Sequence, residues 1–290
     1  MTRALVLGGG GPVGIGWESG LAVGLAQEGV VLGEADLIVG TSAGSVVGSR
    51  LALQLDLPDL VSSVSRPLPV APGASGAVGD LMSLWADAAA RQLTPEEVRA
   101  ELGKLALTAP VGGESTFVTA EIFAWLEGHE WPASFRCTAV DTRTGTLRVW
   151  DDAAGVPLRL GVASSCSVPG VFPPVTIGAD RYMDGGMRTP LNADLAAGYD
   201  AVTVISCLPL ALPEGFSDPV FDSMLRQVES ELAAERVGGA VEVIVPGQEF
   251  LDISGWGANL MDPSRATAAY EAGLRQAMAE TARLRAVWNG

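Results

Sequence analysis

Histidine and lysine are almost missing from this 290-residue chain, which holds one of each, His129 and Lys104. A serine triad of α/β-hydrolase order needs a histidine base after its acid. His129 stands in the polar run Gly128-His129-Glu130-Trp131 and reads as part of a surface turn, so any nucleophile here works without a histidine base. Lys104 lies beside Glu101 on an amphipathic helical stretch and reads as a solvated charge. Only three cysteines occur, Cys137, Cys166 and Cys207, without C-x-x-C spacing. That argues against a disulfide scaffold and a zinc site and fits buried thiols in a reducing compartment, with Cys166 expected to pack or, standing in the segment before Asp184, to lie near the site.

Long apolar runs are absent too. Glycine, proline and charge interrupt every window before the roughly 18 residues of a membrane span. The amino terminus offers one arginine and an apolar run that stops at Gly8, which is not the pattern of a signal peptide. The expected location is cytoplasmic. Basic patches are lacking as well, since the formal charge is -16 with 34 acidic against 18 basic residues. This argues against nucleic acid as a partner and against tight docking on anionic lipid. Neutral or zwitterionic lipid and soluble esters remain open.

What the chain has in quantity is glycine, 36 residues, and three clusters carry the chemistry. Gly40-Thr41-Ser42-Ala43-Gly44 follows the apolar run Leu37 to Val39 and precedes a helical stretch. It reads as a nucleophile elbow, in which the serine tips a sharp strand-to-helix turn and the flanking glycines give the clearance that the turn demands. Backbone N–H groups and the positive end of the following helix then face any oxyanion formed at Ser42. A tight structural turn is the alternative reading of this string alone.

The second cluster is Gly8-Gly9-Gly10-Gly11-Pro12-Val13-Gly14, between the strand-like Ala4 to Leu7 and the apolar stretch Ile15 to Leu25. Bare N–H groups at a helix start suit a phosphate or a transient oxyanion. Gly9, Gly11 and Gly14 also satisfy the dinucleotide fingerprint, which calls for an acid closing the second strand. Glu34 and Asp36 precede that strand, and no Gly-Lys-Ser/Thr follows the glycines. A nucleotide-binding α/β protein thus stays as a second reading, testable by titration with nicotinamide and adenine nucleotides. The third cluster, Asp184-Gly185-Gly186, presents a carboxylate from an open loop or forms an ordinary turn.

Together, Gly9-Gly10-Gly11, Gly40-Thr41-Ser42-Ala43-Gly44 and Asp184-Gly185-Gly186, in this order, resemble the patatin-like phospholipases, with Ala163 to Pro174 similar to the stretch ahead of that family's Asp-Gly-Gly. The resemblance covers about residues 4–195. It implies a serine lipid acyl hydrolase, phospholipase A-like or a broader carboxylesterase, with a Ser-Asp dyad and no cofactor or metal. Ser42 is then the nucleophile, Asp184 the base, and the Gly9, Gly10 and Gly11 N–H groups the oxyanion hole. Gly14, Gly40, Gly44, Gly185 and Gly186 are the motif glycines. The implied partners are a lipid or other ester substrate and transient contact with a membrane or micelle surface. Val13 stands where many members carry a basic residue, and Pro12 has no N–H. An ordinary Asp, with a pKa of ~3.9, is a poor base for a hydroxyl, so the site must exclude water. A catalytically silent scaffold is the third reading, against which the intact Ser42 and Asp184 argue.

The expected fold is α/β, a single domain over residues 1–290 with a central, largely parallel sheet flanked by helices. Residues 196–290 complete the core with a strand and helices. Strands are expected at Ala4 to Leu7, Leu37 to Val39, Arg136 to Val140, Thr146 to Trp150, Arg181 to Met183, Val202 to Ser206 and Val241 to Val245. A hairpin turn is expected over Asp141 to Gly145, and a capped helix start at Thr94-Pro95-Glu96-Glu97. Asp262-Pro263 opens a last helix whose Tyr270, Leu274 and Met278 are expected to face the core. Pro58 to Leu84, rich in proline and glycine, is expected to form a cap over the site, with Leu81, Met82 and Leu84 shaping an acyl cleft, or else an ordinary surface connection. Oligomeric state has no signature in the sequence.

Overall fold

A computed structural model describes residues 1–66, 79, 81, 83, 84, 87, 88, 91–211, 219–233 and 239–288. Its sheet runs in the order β5-β6-β3-β2-β1-β7-β8, with β4 added to β3. The strands are β1 Arg3–Leu7, β2 Leu37–Gly40, β3 Phe135–Asp141, β4 Leu147–Trp150, β5 Val175–Ile177, β6 Asp180–Asp184, β7 Ala201–Ile205 and β8 Ala240–Ile244. The helices are α1 Gly11–Gln27, α2 Ala43–Ala52, α3 Leu57–Val64, α4 Pro95–Thr108, α5 Glu114–Val118, α6 Glu121–Ala124, α7 Leu158–Ser165, α8 Pro219–Leu232, α9 Gln248–Ser254 and α10 Ala266–Trp288. The five strands β3, β2, β1, β7 and β8 are mutually parallel. This is the α/β architecture expected from alternating strand and helix signals, and β7 and β8 extend the same sheet.

Both faces of the sheet are covered, and the period-2 alternation of a strand sorts the side chains. On β1, Leu5 and Leu7 join the larger core with α1, α2 and α10, while Ala4 and Val6 join Leu37, Val39, Val202, Val204 and Val228 on the other face. Every expected strand is present to within a residue or so at its ends. The hairpin turn is made by the Asp141 carboxylate, which accepts from the Arg143 and Thr144 N–H groups at 2.8 Å each, and by Gly145 at φ +70°. Thr94 and Glu97 form the reciprocal capping box of α4.

Two expectations change. Along α10 the core face is Ala266, Ala269, Ala272, Gly273 and Ala277, while Met278 is 74% exposed and Tyr270 and Leu274 are half-buried. The physical reason is close helix contact: a Cβ on Gly20 of α1 would lie 2.0 Å from the Tyr270 carbonyl oxygen, and one on Gly273 2.3 Å from that of Trp17. Only small residues fit between backbones so near. The segment expected as a cap begins with α3, a core helix that buries Leu60 and Val64. Leu81 and Leu84 pack with Leu102, Val140 and Met183. Met82 and residues 67–78 lie outside the described residues.

Candidate active site

The edge of β3 explains how Ser42 and Asp184 meet. β2 pairs with β3 up to Gly40 opposite Cys137, and β6 pairs antiparallel with β3 from Asp184 opposite Ala139. β4 occupies Cys137 to Val140 on the other edge, so β2 and β6 lie end to end along one edge. They abut at Thr138. The chain leaving β2 carries Ser42, and the chain leaving β6 carries Asp184.

Ser42 sits at φ 52° and ψ -116°, a region a non-glycine residue occupies only under constraint. Its N–H donates to Ser165 Oγ at 2.9 Å, and its carbonyl accepts from Ser45 N–H at 2.9 Å, Ser45 Oγ at 2.7 Å and the Cys166 thiol at 3.3 Å. Glycine clearance makes the turn possible. A Cβ on Gly44 would lie 2.2 Å from the Leu7 carbonyl oxygen, and one on Gly40 2.5 Å from that of Gly44. The strained turn is therefore held by four hydrogen bonds, with Ser165, Ser45 and Cys166.

Asp184 is only 2% exposed. Its N–H donates to the Ser167 carbonyl at 2.9 Å and its Oδ1 accepts from the Gly186 N–H at 2.7 Å. Gly185 lets the loop lie against β3, since a Cβ there would fall 2.2 Å from Thr138 Oγ1. Burial pushes the Asp184 carboxyl up to about 7, against smaller lowering by the Ser42 hydroxyl and the Gly186 N–H. Ser42 thus bears on the carboxyl, although Oδ2 has no hydrogen-bond partner of regular geometry.

The N–H groups of the glycine loop differ in their partners. Gly9 N–H donates to the Pro190 carbonyl at 2.8 Å, so Gly9 is not an available oxyanion donor. Its role is clearance beside the nucleophile, as a Cβ on it would stand 3.5 Å from Ser42 Cβ. Gly10 and Gly11 open α1, where their N–H groups have no acceptor among the described residues. Gly11, at φ +56°, packs under Leu260. Ala43 N–H, at the first position of α2, is likewise free and was not foreseen, although the residue after an elbow serine is a recurrent donor. Val13 is buried, so no side-chain cation reaches the loop from that position.

Asn192 is a further residue that sequence reasoning missed. At φ 54°, a conformation asparagine tolerates, it donates through Nδ2 to Thr41 Oγ1 and to the Thr189 carbonyl, both at 3.0 Å. Thr41 and Thr138 hydroxyls are 3.0 Å apart. The two chain ends at Thr138 are thereby tied together. Arg188, paired with Asp194 at 2.8 Å, donates to Asn192 Oδ1 at 2.9 Å and fixes its amide.

A narrow cleft opens at Ser42 and is lined by Phe117, Ile122, Phe123, Val168, Phe172 and Cys166 among others. Phe117 stacks on Phe172 at 4.7 Å between ring centroids. The wall is apolar, so it offers burial to a hydrocarbon chain and no charge to a phosphate. It is built by α5, α6 and the stretch after α7, not by Leu81 or Leu84.

His129 is exposed and Lys104 pairs with Glu101 at 3.0 Å on α4. Asp36, the acid that a dinucleotide site would require beyond β2, instead accepts from Arg3 N–H at 2.7 Å at the opposite end of that strand. Among the described residues, no group of three or more His, Cys, Asp or Glu side chains is placed to hold a metal ion.

In sequence, the family model described as patatin-like phospholipase matches residues 80–197. The chain is therefore similar to that family over a span that includes Asp184 and Asn192 and begins after Ser42. No curated protein matches the chain. Among solved structures, VipD from Legionella pneumophila is similar at 14% identity and a TM-score of 0.44, covering 97% of this chain and 67% of its own. The type III effector protein ExoU is similar at 14% identity and a TM-score of 0.30, covering 95% of this chain and 53% of its own.

Proposed function

We propose that the chain is a serine lipid acyl hydrolase that cleaves carboxylic esters through Ser42 and Asp184. The observation that carries this reading is a strained elbow serine and a buried carboxylate brought to one point on the edge of β3. Asp184 accepts the proton of Ser42 Oγ as that oxygen adds to the ester carbonyl carbon. The carbonyl electron pair moves onto oxygen, where the Gly10, Gly11 and Ala43 N–H groups stabilise it. Collapse breaks the bond to the alcohol, which leaves with the proton held by Asp184. Water, deprotonated by Asp184, then adds to the acyl carbonyl, and the Ser42 Oγ–acyl bond breaks as Oγ takes the proton back from Asp184, releasing the acid. A base that titrates at about 7 is better matched to this work than an ordinary aspartate.

The apolar cleft supports an acyl chain as the recognised part, phospholipid or simpler ester alike, approached by transient contact with a membrane or micelle surface. Free thiols at Cys137, Cys166 and Cys207 support a cytoplasmic location. The test is hydrolysis of p-nitrophenyl esters of increasing chain length. Turnover should vanish in Ser42→Ala and fall about 100- to 10,000-fold in Asp184→Asn. In the wild type, kcat should rise with pH through about 7 as Asp184 loses its proton. Full turnover in Ser42→Ala would remove the reading.

A further inference from the structure

Glu18 lies on α1, seven residues beyond Gly11, and is 0% exposed. Helical side chains lean toward the amino terminus, which aims this one at the underside of the glycine loop. Neither carboxyl oxygen has a hydrogen-bond partner of regular geometry. The groups that bear on it are the Cys207 thiol and the Gly8 backbone, with no cation among them. Cys207 is itself wedged beneath the loop. A Cβ on Gly10 would lie 2.6 Å from Cys207 Cβ and Sγ, and one on Gly14 2.9 Å from its Sγ.

An acid so placed has one tenable state. An unpaired carboxylate without solvent or a cation is strongly disfavoured, so the group holds its proton. Burial drives its pKa well above the ordinary carboxylate range, and the same burial raises Cys207. The ordinary helix reading, an acid on a solvated face, is excluded by its complete burial. Both titratable groups under the loop are therefore neutral at physiological pH, leaving the field of the α1 amino terminus undiminished at Gly10 and Gly11. A negative charge at either would oppose an oxyanion on the other side of the loop.

We propose that Glu18, as a neutral carboxylic acid bearing on Cys207, is a positioning residue that sets the glycine loop from beneath and keeps the floor of the oxyanion hole uncharged. The inference rests on the serine hydrolase reading, and its test separates the two. At about pH 7 the infrared difference spectrum between wild type and Glu18→Gln should show a protonated-carboxyl band that the variant lacks, which isolates Glu18 from Asp184 and Glu231 because both proteins carry those groups. Fluorophosphonate labelling of Ser42 should stay within about twofold of wild type in Glu18→Gln and slow at least tenfold in Glu18→Asp, about 1.4 kcal/mol, with both variants folded. Glu18→Asp withdraws the acid by one methylene from Cys207. A missing band, or equal labelling rates in the two variants, overturns the role of Glu18. A wild type that carries the band but does not label removes the hydrolase reading and with it this proposal.

Discussion

Asp184 meets two opposed demands, since the burial that raises its basicity also disfavours its charged form in the folded chain. Its folded pKa of about 7 lies above the ~3.9 of an unfolded chain. The contribution to stability is therefore complete below about pH 4 and is lost as pH rises through about 7. At pH 8 the ionised carboxylate opposes folding by a few kcal/mol, because each tenfold change in proton affinity is worth roughly 1.4 kcal/mol. Asp184→Asn, neutral throughout, should accordingly melt at a higher temperature than wild type at about pH 8 and lose that advantage near pH 4, while its turnover falls. Glu231, pushed up to about 7 by burial as well, contributes to both proteins and cancels in the comparison. Thermal unfolding at the two pH values checks the prediction, and an Asn variant less stable at pH 8 would contradict it. Ser42 and Asp184 were legible from sequence because a strained turn and a close-packed loop demand glycine at fixed neighbours. Gly9's bond to Pro190 and the ties of Asn192 were not, because partners that distant in sequence leave no local pattern.

Among the elements, the packing of α1 on α10 decides where the glycine loop sits. Gly16, Gly20 and Gly273 allow the two backbones to approach, and a methyl at Gly20 meets a carbonyl oxygen that cannot move without its helix. Gly20→Ala should destabilise the fold by about 1–3 kcal/mol or more and displace the start of α1. Met278→Ala, on the same helix pair, should stay within about 0.5 kcal/mol of wild type because Met278 faces solvent. Chemical denaturation of both variants measures the contrast. The sequence pattern of α10 pointed instead to Tyr270, Leu274 and Met278, since a 3.6-residue period marks a face and bulky side chains usually claim it. Backbone proximity reversed the choice. The strands read well because short β-branched runs sit between glycine and polar turns, as in Val202 to Ser206. β5 was missed because its three residues, between Pro174 and Gly178, are too few to show alternation.

At the scale of the whole molecule, the formal charge is -16 and the cleft at Ser42 is apolar. Screening reaches about 10 Å at 0.1 M salt, so repulsion between this chain and an anionic surface weakens steadily with added salt. Turnover on anionic vesicles should thus rise with ionic strength, while turnover on zwitterionic vesicles stays flat. Equal salt responses on the two surfaces would show that overall charge does not govern approach. Among the described residues no helix is long and apolar enough to cross a membrane. The central claim is that Ser42 is a nucleophile activated by Asp184. Its most direct test is fluorophosphonate labelling followed by mass spectrometry of the modified peptide, on wild type, Ser42→Ala and Asp184→Asn. One adduct is expected, on Ser42, absent from Ser42→Ala and formed much more slowly in Asp184→Asn. An adduct on another residue, or none on a folded wild type, would contradict the claim.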